Sequence, residues 1–369
     1  MYTSVDTLIV GIPTIRPHKL SVTTMQVQTL VLVKITTEDG LVGWGEATTI
    51  GGLNYAAESP ESVKANIEHY FAPLLLQDKS DNVAQTLKSI HKAINGNRFA
   101  KCAVQTALLD IQAQRLGVPL SELLGGRLRN SLPVLWTLAS GDTDKDIAEA
   151  QKMIAAKRHN TFKLKIGANP WQQDVEHVIA IKQALGSDIS VRVDVNRAWS
   201  EMDCIKGIQA LQDGGIDLVE QPCAIENTDA LRRLTERFDV AIMADEALTG
   251  PFSAYRVAKQ YGAHVFAVKI AQSGGLLEAK EVATVAKLAG IDLYGGTMLE
   301  GPIGTIASAH TFATFENLAF GTELFGPLLL TEEILTEPLQ YRDFELHLPT
   351  GPGLGVVVDE NKIDALRHQ

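Results

Sequence analysis

Short apolar segments rich in β-branched residues recur along the chain from Leu132 onward, and amphipathic segments separate them. The apolar segments are PVLWTLAS, FKLKIG, SVRVDVN, DLVEQP, VAIMADE, VFAVKI, DLYGGT and LAFGTEL. The segments between them, such as DKDIAEAQKMIAAKRH and LLEAKEVATVAKLAG, have one apolar face and are typical of helices. Regular alternation of strand and helix predicts a parallel sheet, and eight repeats favour a closed (β/α)8 barrel over an open sheet.

The first part of the chain lacks this alternation. The segments TSVDTLIVGIP and QTLVLVKITTEDGLVGWGEAT alternate apolar and polar residues around an Asp39-Gly40 turn signal, which predicts antiparallel strands. Helical segments follow, and SPESVKANIEHYFAPLL begins with Ser59 as an N-cap candidate and Pro60 in the first turn. We therefore expect an α+β domain over residues 1–130, which ends where glycines and Pro133 punctuate the pattern.

Charged residues stand at the downstream ends of five consecutive predicted strands. Asp194, Glu220 and Asp245 are 26 and 25 residues apart, about one strand plus one helix. The preceding strand carries Lys163 and Lys165, and the following strand carries Lys269. Because catalytic groups of such barrels come from the C-terminal ends of several strands, this series predicts one active site.

Composition narrows the class of protein. The 369 residues are 45% hydrophobic and 21% charged, which is typical of a globular protein with an ample core. The formal net charge of −11 argues against nucleic acid or an anionic membrane as a partner, because both require a basic surface. The three cysteines are far apart and form no C-x-x-C motif, and no signal peptide or membrane-length apolar run is present. We expect a cytoplasmic protein with reduced thiols.

Three carboxylates from consecutive strands form an all-oxygen site that suits Mg²⁺ or Mn²⁺ and disfavours zinc. A divalent ion flanked by lysines fits proton transfer beside a carboxylate, because the ion stabilises an enediolate while an ammonium group moves the proton. Cations clustered near the metal ion are expected to lower a lysine pKa towards neutrality. A Schiff-base aldolase, which needs one lysine and no metal, and a non-catalytic binding protein are the alternatives from other classes.

The chain resembles the enolase superfamily, and within it the muconate lactonizing subgroup, across its full length. The matching motifs are FKLKIG, VRVDVN with Trp199 following, DLVEQP, IMADEA, AVKIAQSGG, LYGGTMLEGPIGT and FGTELFGPLLL. The resemblance implies a modified (β/α)8 barrel of (β/α)7β type over residues 131–325, under the α+β capping domain. It also implies that the C-terminal segment, residues 326–369, returns to the cap.

Residue roles follow from the resemblance at the matching positions. Asp194, Glu220 and Asp245 are implied as ligands of Mn²⁺, with Mg²⁺ as a possible replacement. Lys165 is implied as the acid/base, Lys163 as its charged neighbour and Lys269 as the lysine on the opposite face. The remaining implied residues are Glu323 in the active site, Asn196 and Glu246 behind the metal ligands, and Ile50, Tyr55, Thr297 and Phe325 in the substrate pocket.

The implied reaction is the cycloisomerisation of cis,cis-muconate to muconolactone in catechol degradation, by an intramolecular lyase without a redox cofactor. The substrate is a small dicarboxylate, and the resemblance suggests a homo-octamer. Two cap segments, IPTIRPHKLSVTTM and TTIGGLNYAAE, are expected to set specificity. Within them Arg16, His18 and Lys19 are explained equally well as carboxylate contacts and as a solvated basic loop. Chloromuconate cycloisomerase is the nearest alternative, followed by o-succinylbenzoate synthase, N-acylamino acid racemase and dipeptide epimerase.

Overall fold

The structure is a computed structural model that describes residues 1–19, 23–80 and 82–367. Its N-terminal part is an antiparallel three-stranded sheet of β1 (Tyr2–Lys19), β2 (Thr24–Thr37) and β3 (Val42–Thr48). Val10 pairs with Leu30 in the β1–β2 ladder, and both side chains are fully buried. The predicted turn is present, with the Gly40 amide donating to the Thr37 carbonyl oxygen.

Helices cover this sheet. They are α1 (Pro60–Asn66), α2 (Ala72–Gln77), α3 (Val83–Ala93), α4 (Arg98–Leu116) and α5 (Leu120–Leu123). The predicted cap of α1 is confirmed: the Ser59 hydroxyl accepts from the Ser62 amide at 3.2 Å, and the Ser62 hydroxyl accepts from the Ser59 amide at 2.8 Å. This reciprocal pair satisfies two N–H groups that would otherwise be unpaired at the helix start. A π-helical turn, Ile67–Phe71, joins α1 to α2, so the single helix expected there is interrupted.

A short strand, β4 (Ser131–Pro133), leads into a seven-stranded parallel sheet. The strands of that sheet are β5 (Trp136–Leu138), β6 (Thr161–Lys165), β7 (Ser190–Asp194), β8 (Leu218–Glu220), β9 (Ala241–Ala244), β10 (Val265–Val268) and β11 (Asp292–Gly295). They lie side by side in chain order. The sheet is therefore the curled parallel sheet of the predicted barrel class.

Residues 321–323 close the barrel between its first and last strands. The Thr322 amide donates to the Pro133 carbonyl oxygen at 2.9 Å, and the Glu323 amide donates to the Gly295 carbonyl oxygen at 2.8 Å. The predicted eighth strand, LAFGTEL, is wrong in its extent, because only Thr322 forms bridges to both neighbours. Gly321 adopts a positive φ of 65°, which breaks the extended backbone immediately before the bridge.

Helices alternate with the strands around the outside of the sheet. They are α6 (Thr143–Ala155), α7 (Trp171–Leu185), α8 (Glu201–Asp213), α9 (Thr228–Arg237), α10 (Pro251–Lys259), α11 (Ile270–Ser273), α12 (Leu276–Ala289) and α13 (Pro302–Phe312). A 3₁₀ turn, Gly326–Leu329, follows the closing segment. In the described part of the chain, no helix combines the length and apolar character that a bilayer span requires.

The last part of the chain contacts both the cap and β4, the short strand that leads into the barrel. It comprises β12 (Gln340–Arg342), β13 (Glu345–His347) and α14 (Glu360–Leu366). β13 pairs with β4, while Arg367 bridges to Val10 and Glu360 forms an ion pair with Lys34 of the cap. The expected boundaries at residues 130 and 325 remain a prediction.

The cap is joined to the barrel by buried polar contacts. Gln28 of β2 donates to the carbonyl oxygens of Met298 and Leu299, at 3.1 and 2.7 Å. Glu46 of β3 accepts from the amides of Gly301 and Gly304, at 2.5 and 2.9 Å, at the start of α13. These amides belong to the unpaired first turn of a helix, where a carboxylate is a favourable partner. The cap is therefore held over the C-terminal ends of the barrel strands.

Candidate active site

Strand register brings the predicted charged residues to one level. In the parallel ladders Lys165 lies opposite Asp194, and Asp194 lies opposite Glu220. Asp245 follows directly after the end of β9. One carboxylate oxygen from each of Asp194, Glu220 and Asp245 lies within 4.8 Å of the other two, and all three side chains are buried. The equal sequence spacing of these residues therefore becomes a single cluster.

The lysines contact this cluster from both sides. Lys163 Nζ lies 3.0 Å from Glu220 Oε2 and 2.5 Å from Glu323 Oε1. Lys165 contacts Asp194, and Lys269 Nζ lies 2.7 Å from Asp245 Oδ2. Lys165 is on β6 and Lys269 follows β10, so the strands carrying the carboxylates stand between them. The structure thus brings together all seven residues that were expected to form the charged centre.

Burial and charge act against each other in the pKa values of these groups. Burial lowers the pKa of Lys165, but the surrounding carboxylates, first among them Asp194, together outweigh it and raise the pKa. The carboxylates around Lys269, first among them Asp245, raise its pKa in the same way. Burial and repulsion by Asp194 hold the pKa of Glu220 well above its usual range. The expected lowering of a lysine pKa concerns lysines beside a bound divalent ion, and it stays a prediction.

The donor set fits a divalent metal ion. Three buried carboxylates supply only oxygen ligands, which Mg²⁺ and Mn²⁺ prefer. Two of their oxygens, Glu220 Oε1 and Asp245 Oδ1, are buried and accept no hydrogen bond from any described residue. An unsatisfied buried carboxylate oxygen is unfavourable unless a cation binds to it. Asp194, Glu220 and Asp245 can therefore hold a divalent ion.

A second layer of polar groups orients the carboxylates. Asn196 Nδ2 donates to Asp194 Oδ2 at 3.1 Å and to Glu246 Oε1 at 3.2 Å, and Arg197 also pairs with Glu246 at 3.2 Å. Asn196 and Arg197 both have positive φ, 44° and 70°, a strained conformation for residues with side chains. Burial and the nearby Asp245 raise the pKa of Glu246 to about 8. Asn196 therefore joins Asp194 to Glu246, and the role of both residues behind metal ligands stays a prediction.

Two glutamines were not identified from the sequence. The Gln221 side-chain oxygen accepts from the amides of Asp245 and Ala247, at 3.0 and 3.2 Å. Gln272 Nε2 donates to the carbonyl oxygens of Asp245 and Leu248, both at 2.7 Å. Together they fix the backbone that carries Asp245. Their only sequence signal is position, directly after Glu220 and three residues after Lys269.

The expected pocket residues differ in what they contact. The Tyr55 hydroxyl donates to Asp245 Oδ2 and accepts from Lys269 Nζ, each at 2.8 Å, so this cap residue reaches the charged centre. Phe325 is fully buried, with its ring 5.2 Å from that of Trp136. Thr297 is buried and donates to Glu300, whereas Ile50 packs in the apolar core. The pocket roles of Thr297 and Ile50 therefore stay predictions.

The expected cap segment over residues 12–25 is mostly strand, because β1 extends to Lys19 and β2 begins at Thr24. Its residues 20–22 lie outside the described part of the chain. The second expected cap segment forms turns over residues 50–55, which include Tyr55. Its Gly51 and Gly52 have positive φ of 63° and 66°. Specificity from these segments remains a prediction.

Two family models match the chain. Residues 4–125 match the mandelate racemase / muconate lactonizing enzyme N-terminal domain, and residues 145–362 match the enolase C-terminal domain-like family. The chain belongs to the mandelate racemase / muconate lactonizing enzyme family of the enolase superfamily. The three carboxylates and the lysines on β6 and after β10 all fall within the second match.

Relatives within this family match over their whole length. The chain is 77% identical to muconate cycloisomerase 1 of Acinetobacter baylyi, covering 100% of both chains. It is 44% identical to the chloromuconate cycloisomerase CbnB of Cupriavidus necator, covering 98% of this chain and 97% of the relative. The solved structure of muconate lactonizing enzyme from Pseudomonas fluorescens complexed with muconolactone superimposes with a TM-score of 0.98 at 53% identity. That comparison covers 100% of this chain and 99% of the other.

Proposed function

We propose that this chain is a muconate cycloisomerase, an intramolecular lyase that converts cis,cis-muconate to muconolactone. The observation that carries this proposal is a buried carboxylate cluster with Lys165 and Lys269 on opposite sides, in a chain 77% identical to a muconate cycloisomerase. A Schiff-base aldolase would need one lysine without such a cluster. A binding protein would not require two buried lysines beside the carboxylates.

The chemistry adds one carboxylate of the substrate across a conjugated double bond. Asp194, Glu220 and Asp245 would hold a divalent ion, which would supply Lewis-acid stabilisation of the charge that develops on the other carboxylate. Lys165 delivers the proton to the carbon next to that carboxylate, and Lys269 stabilises negative charge from the opposite face. The carbon–carbon π bond and one N–H bond of Lys165 break as the C–O and C–H bonds form, so the dianion gains one proton and becomes the lactone monoanion.

The remaining residues keep this arrangement in place. Lys163 sits between Glu220 and Glu323, where it balances two buried negative charges. Glu323 is itself contacted by the Thr137 hydroxyl at 3.4 Å. Tyr55 links Asp245 to Lys269 and brings the cap to the site. We infer that Phe325, Ile50 and Thr297 line the substrate pocket.

We infer that Mn²⁺ is the working ion and that Mg²⁺ can replace it, since both prefer oxygen ligands. The substrate is a dianion and the protein carries a net charge of −11, so attraction must be local. The buried Lys163 and Lys269, the partly buried Lys165 and a bound ion supply the positive charge that the rest of the surface lacks.

Chloromuconate is the second candidate substrate, because relatives named chloromuconate cycloisomerase align over nearly the full chain. Their identity of 44% is far below the 77% of the muconate relative, which favours the unchlorinated substrate. Steady-state turnover of muconate, 2-chloromuconate and 3-chloromuconate distinguishes the two. A higher kcat/KM for either chlorinated compound would reverse the assignment.

The direct test adds cis,cis-muconate to Mn²⁺-loaded protein and follows the loss of its ultraviolet absorbance. We expect turnover that a chelator abolishes and that added Mn²⁺ or Mg²⁺ restores. Borohydride with substrate should leave the protein unmodified, whereas an aldolase would be trapped covalently. Unchanged absorbance with loaded protein contradicts the proposed reaction.

We also infer that the protein is a cytoplasmic homo-oligomer, because the family resemblance suggests an octamer. Phe252 on α10 and Leu288 on α12 are 87% and 82% exposed. Large apolar side chains on neighbouring helices are typical of contact surfaces. Light scattering after size-exclusion chromatography measures the assembly, and an octamer has eight times the 40.0 kDa chain mass.

A further inference from the structure

His18 is a buried histidine whose ring nitrogens have no partner. It lies near the end of β1, its side chain is fully buried, and neither Nδ1 nor Nε2 forms a hydrogen bond with a described residue. Two other buried histidines each use a ring nitrogen: His159 Nδ1 lies 2.8 Å from the Val134 carbonyl oxygen and His310 Nε2 lies 3.1 Å from that of Leu354. Since buried polar groups are normally paired, the lone ring of His18 requires an explanation.

The end of β1 is anchored over the first barrel strands. Arg16 donates to the Thr137 carbonyl oxygen at 3.2 Å and pairs with Glu149 at 3.0 Å. Two residues further on, the His18 ring lies 6.4 Å from that of Phe325, which is two residues from Glu323. The cap therefore places His18 beside Phe325 and near Lys163 and Lys165.

The surroundings of His18 keep its imidazole neutral. Burial, together with the positive charges of Arg16, Lys165 and Lys163, lowers its pKa to about 3. A neutral imidazole carries one N–H donor and one acceptor nitrogen. In a site with three cations, an N–H donor can bind an anion without adding a fourth charge. A carboxylate oxygen is the partner that this position lacks.

We propose that His18 is a substrate-binding residue that donates an N–H hydrogen bond to the carboxylate that attacks the double bond. This inference rests on the proposed function. Lys269 and Tyr55 contact Asp245 on one side of the carboxylate cluster, whereas His18 lies on the other side, near Lys163 and Lys165 of β6. The dicarboxylate therefore spans from the metal ligands to His18.

A neutral donor suits the attacking group. One oxygen of that carboxylate accepts from His18, and the other forms the C–O bond to the ring-closing carbon. The electron pair of the double bond moves to the adjacent carbon, which takes its proton from Lys165. His18 neither gains nor loses a proton, and after the reaction its N–H contacts the lactone carbonyl oxygen. A cationic partner would hold the attacking charge more strongly and reduce its nucleophilicity.

The test compares His18→Phe with His18→Gln in the full, Mn²⁺-loaded protein. Phe keeps a ring without nitrogens, whereas Gln keeps an N–H donor. Because a hydrogen bond to a charged group is involved, we expect His18→Phe to raise KM for cis,cis-muconate roughly tenfold to a hundredfold. Since ground state and transition state both use this contact, kcat should stay within about threefold. The KM of His18→Gln should fall between the KM of His18→Phe and that of the wild type.

A matched control separates binding from folding. His310→Gln alters an equally buried histidine and should lower thermal stability while leaving KM unchanged. If His18→Phe does not fold, ¹⁵N NMR of the Mg²⁺-loaded wild type decides, with the His18 signals assigned by their loss in His18→Gln. Muconolactone should shift the protonated His18 nitrogen. A folded His18→Phe variant with unchanged KM, or no shift on adding muconolactone, overturns the inference, whereas an inactive wild type contradicts the proposed function instead.

Discussion

The Nζ atom of Lys163 lies 2.5 Å from Oε1 of Glu323, and this ion pair joins the second barrel strand to the segment that closes the barrel. Both side chains are almost completely buried, and Glu220 lies 3.0 Å from the same ammonium group. Lys163 is thus shared by two carboxylates from opposite sides of the barrel. The charge balance of the site and the closure of the barrel depend on the same contact.

Glu323→Gln should destabilise the protein. The substitution keeps the side-chain shape but leaves Lys163 with one close carboxylate instead of two. Breaking a buried pair costs about 3–5 kcal/mol, and we expect a value near or below the low end because Glu220 remains. Urea denaturation measures the free energy of unfolding. Glu316→Gln is the matched control, since its pair with Lys287 is mostly exposed and should contribute about 0–1 kcal/mol. Equal effects of the two substitutions would contradict the structural role of Glu323.

Lys165→Ala should abolish turnover and leave metal binding intact. Loss of a positioned general acid typically lowers the rate by about 10²–10⁴-fold. The carboxylates are unchanged, so Mn²⁺ affinity measured by calorimetry should remain within about threefold of the wild type or improve, because a competing cation is removed. Lys287→Ala, which removes an exposed lysine, should retain normal activity. A Lys165→Ala variant with near-normal kcat would exclude this lysine as the acid.

Asn196→Ala should weaken metal binding. Its amide holds Asp194 and Glu246, and partners of this kind usually change metal affinity by about 10–100-fold. Calorimetric titration with Mn²⁺ measures the change. Asn66→Ala removes a partly buried amide contact with Asn97 in the cap and should leave Mn²⁺ affinity unaltered. If both variants bind Mn²⁺ like the wild type, Asn196 does not orient the ligands.

Glu46 should make stability depend on pH. Burial, with a smaller contribution from the nearby Glu300, raises the pKa of Glu46 to about 8, although the amides of Gly304 and Gly301 oppose the rise. Because the unfolded carboxyl ionises near its usual pKa, the folded state binds one more proton between about pH 4.5 and 8. The stability contribution is complete below that window and is lost as the pH rises through it.

Glu46→Gln removes this titration. From about pH 5 to 8 the wild type should lose unfolding free energy relative to the variant, by at most about 1.4 kcal/mol per pH unit. Urea denaturation at several pH values for both proteins measures the difference. Glu360→Gln is a control on the cap surface, because Glu360 is largely exposed in its pair with Lys34. Parallel curves for wild type and Glu46→Gln would show that Glu46 is not a buried titrating group.

The charged centre could be predicted because strand-end residues of a parallel barrel meet at one edge whatever the loops do. Asp194 and Glu220 illustrate this, since their direct pairing follows from strand register alone. The roles of Gln221 and Gln272 could not be predicted, because a side chain that binds backbone amides or carbonyls leaves no periodic pattern. The direction of a lysine pKa shift cannot be read from spacing for a related reason: it depends on the distance from the ammonium group to each neighbouring charge.

By itself the sequence determined the barrel class, the order of its strands and the five strand ends that carry charge. These features arise from local periodicity, which acts over one strand and one helix at a time. Only the tertiary structure decided which long-range contacts complete the site. These are Glu323 with Lys163, Tyr55 with Lys269, and His18 with Phe325. Those contacts join residues more than a hundred positions apart, and their geometry is set by how the cap packs over the barrel.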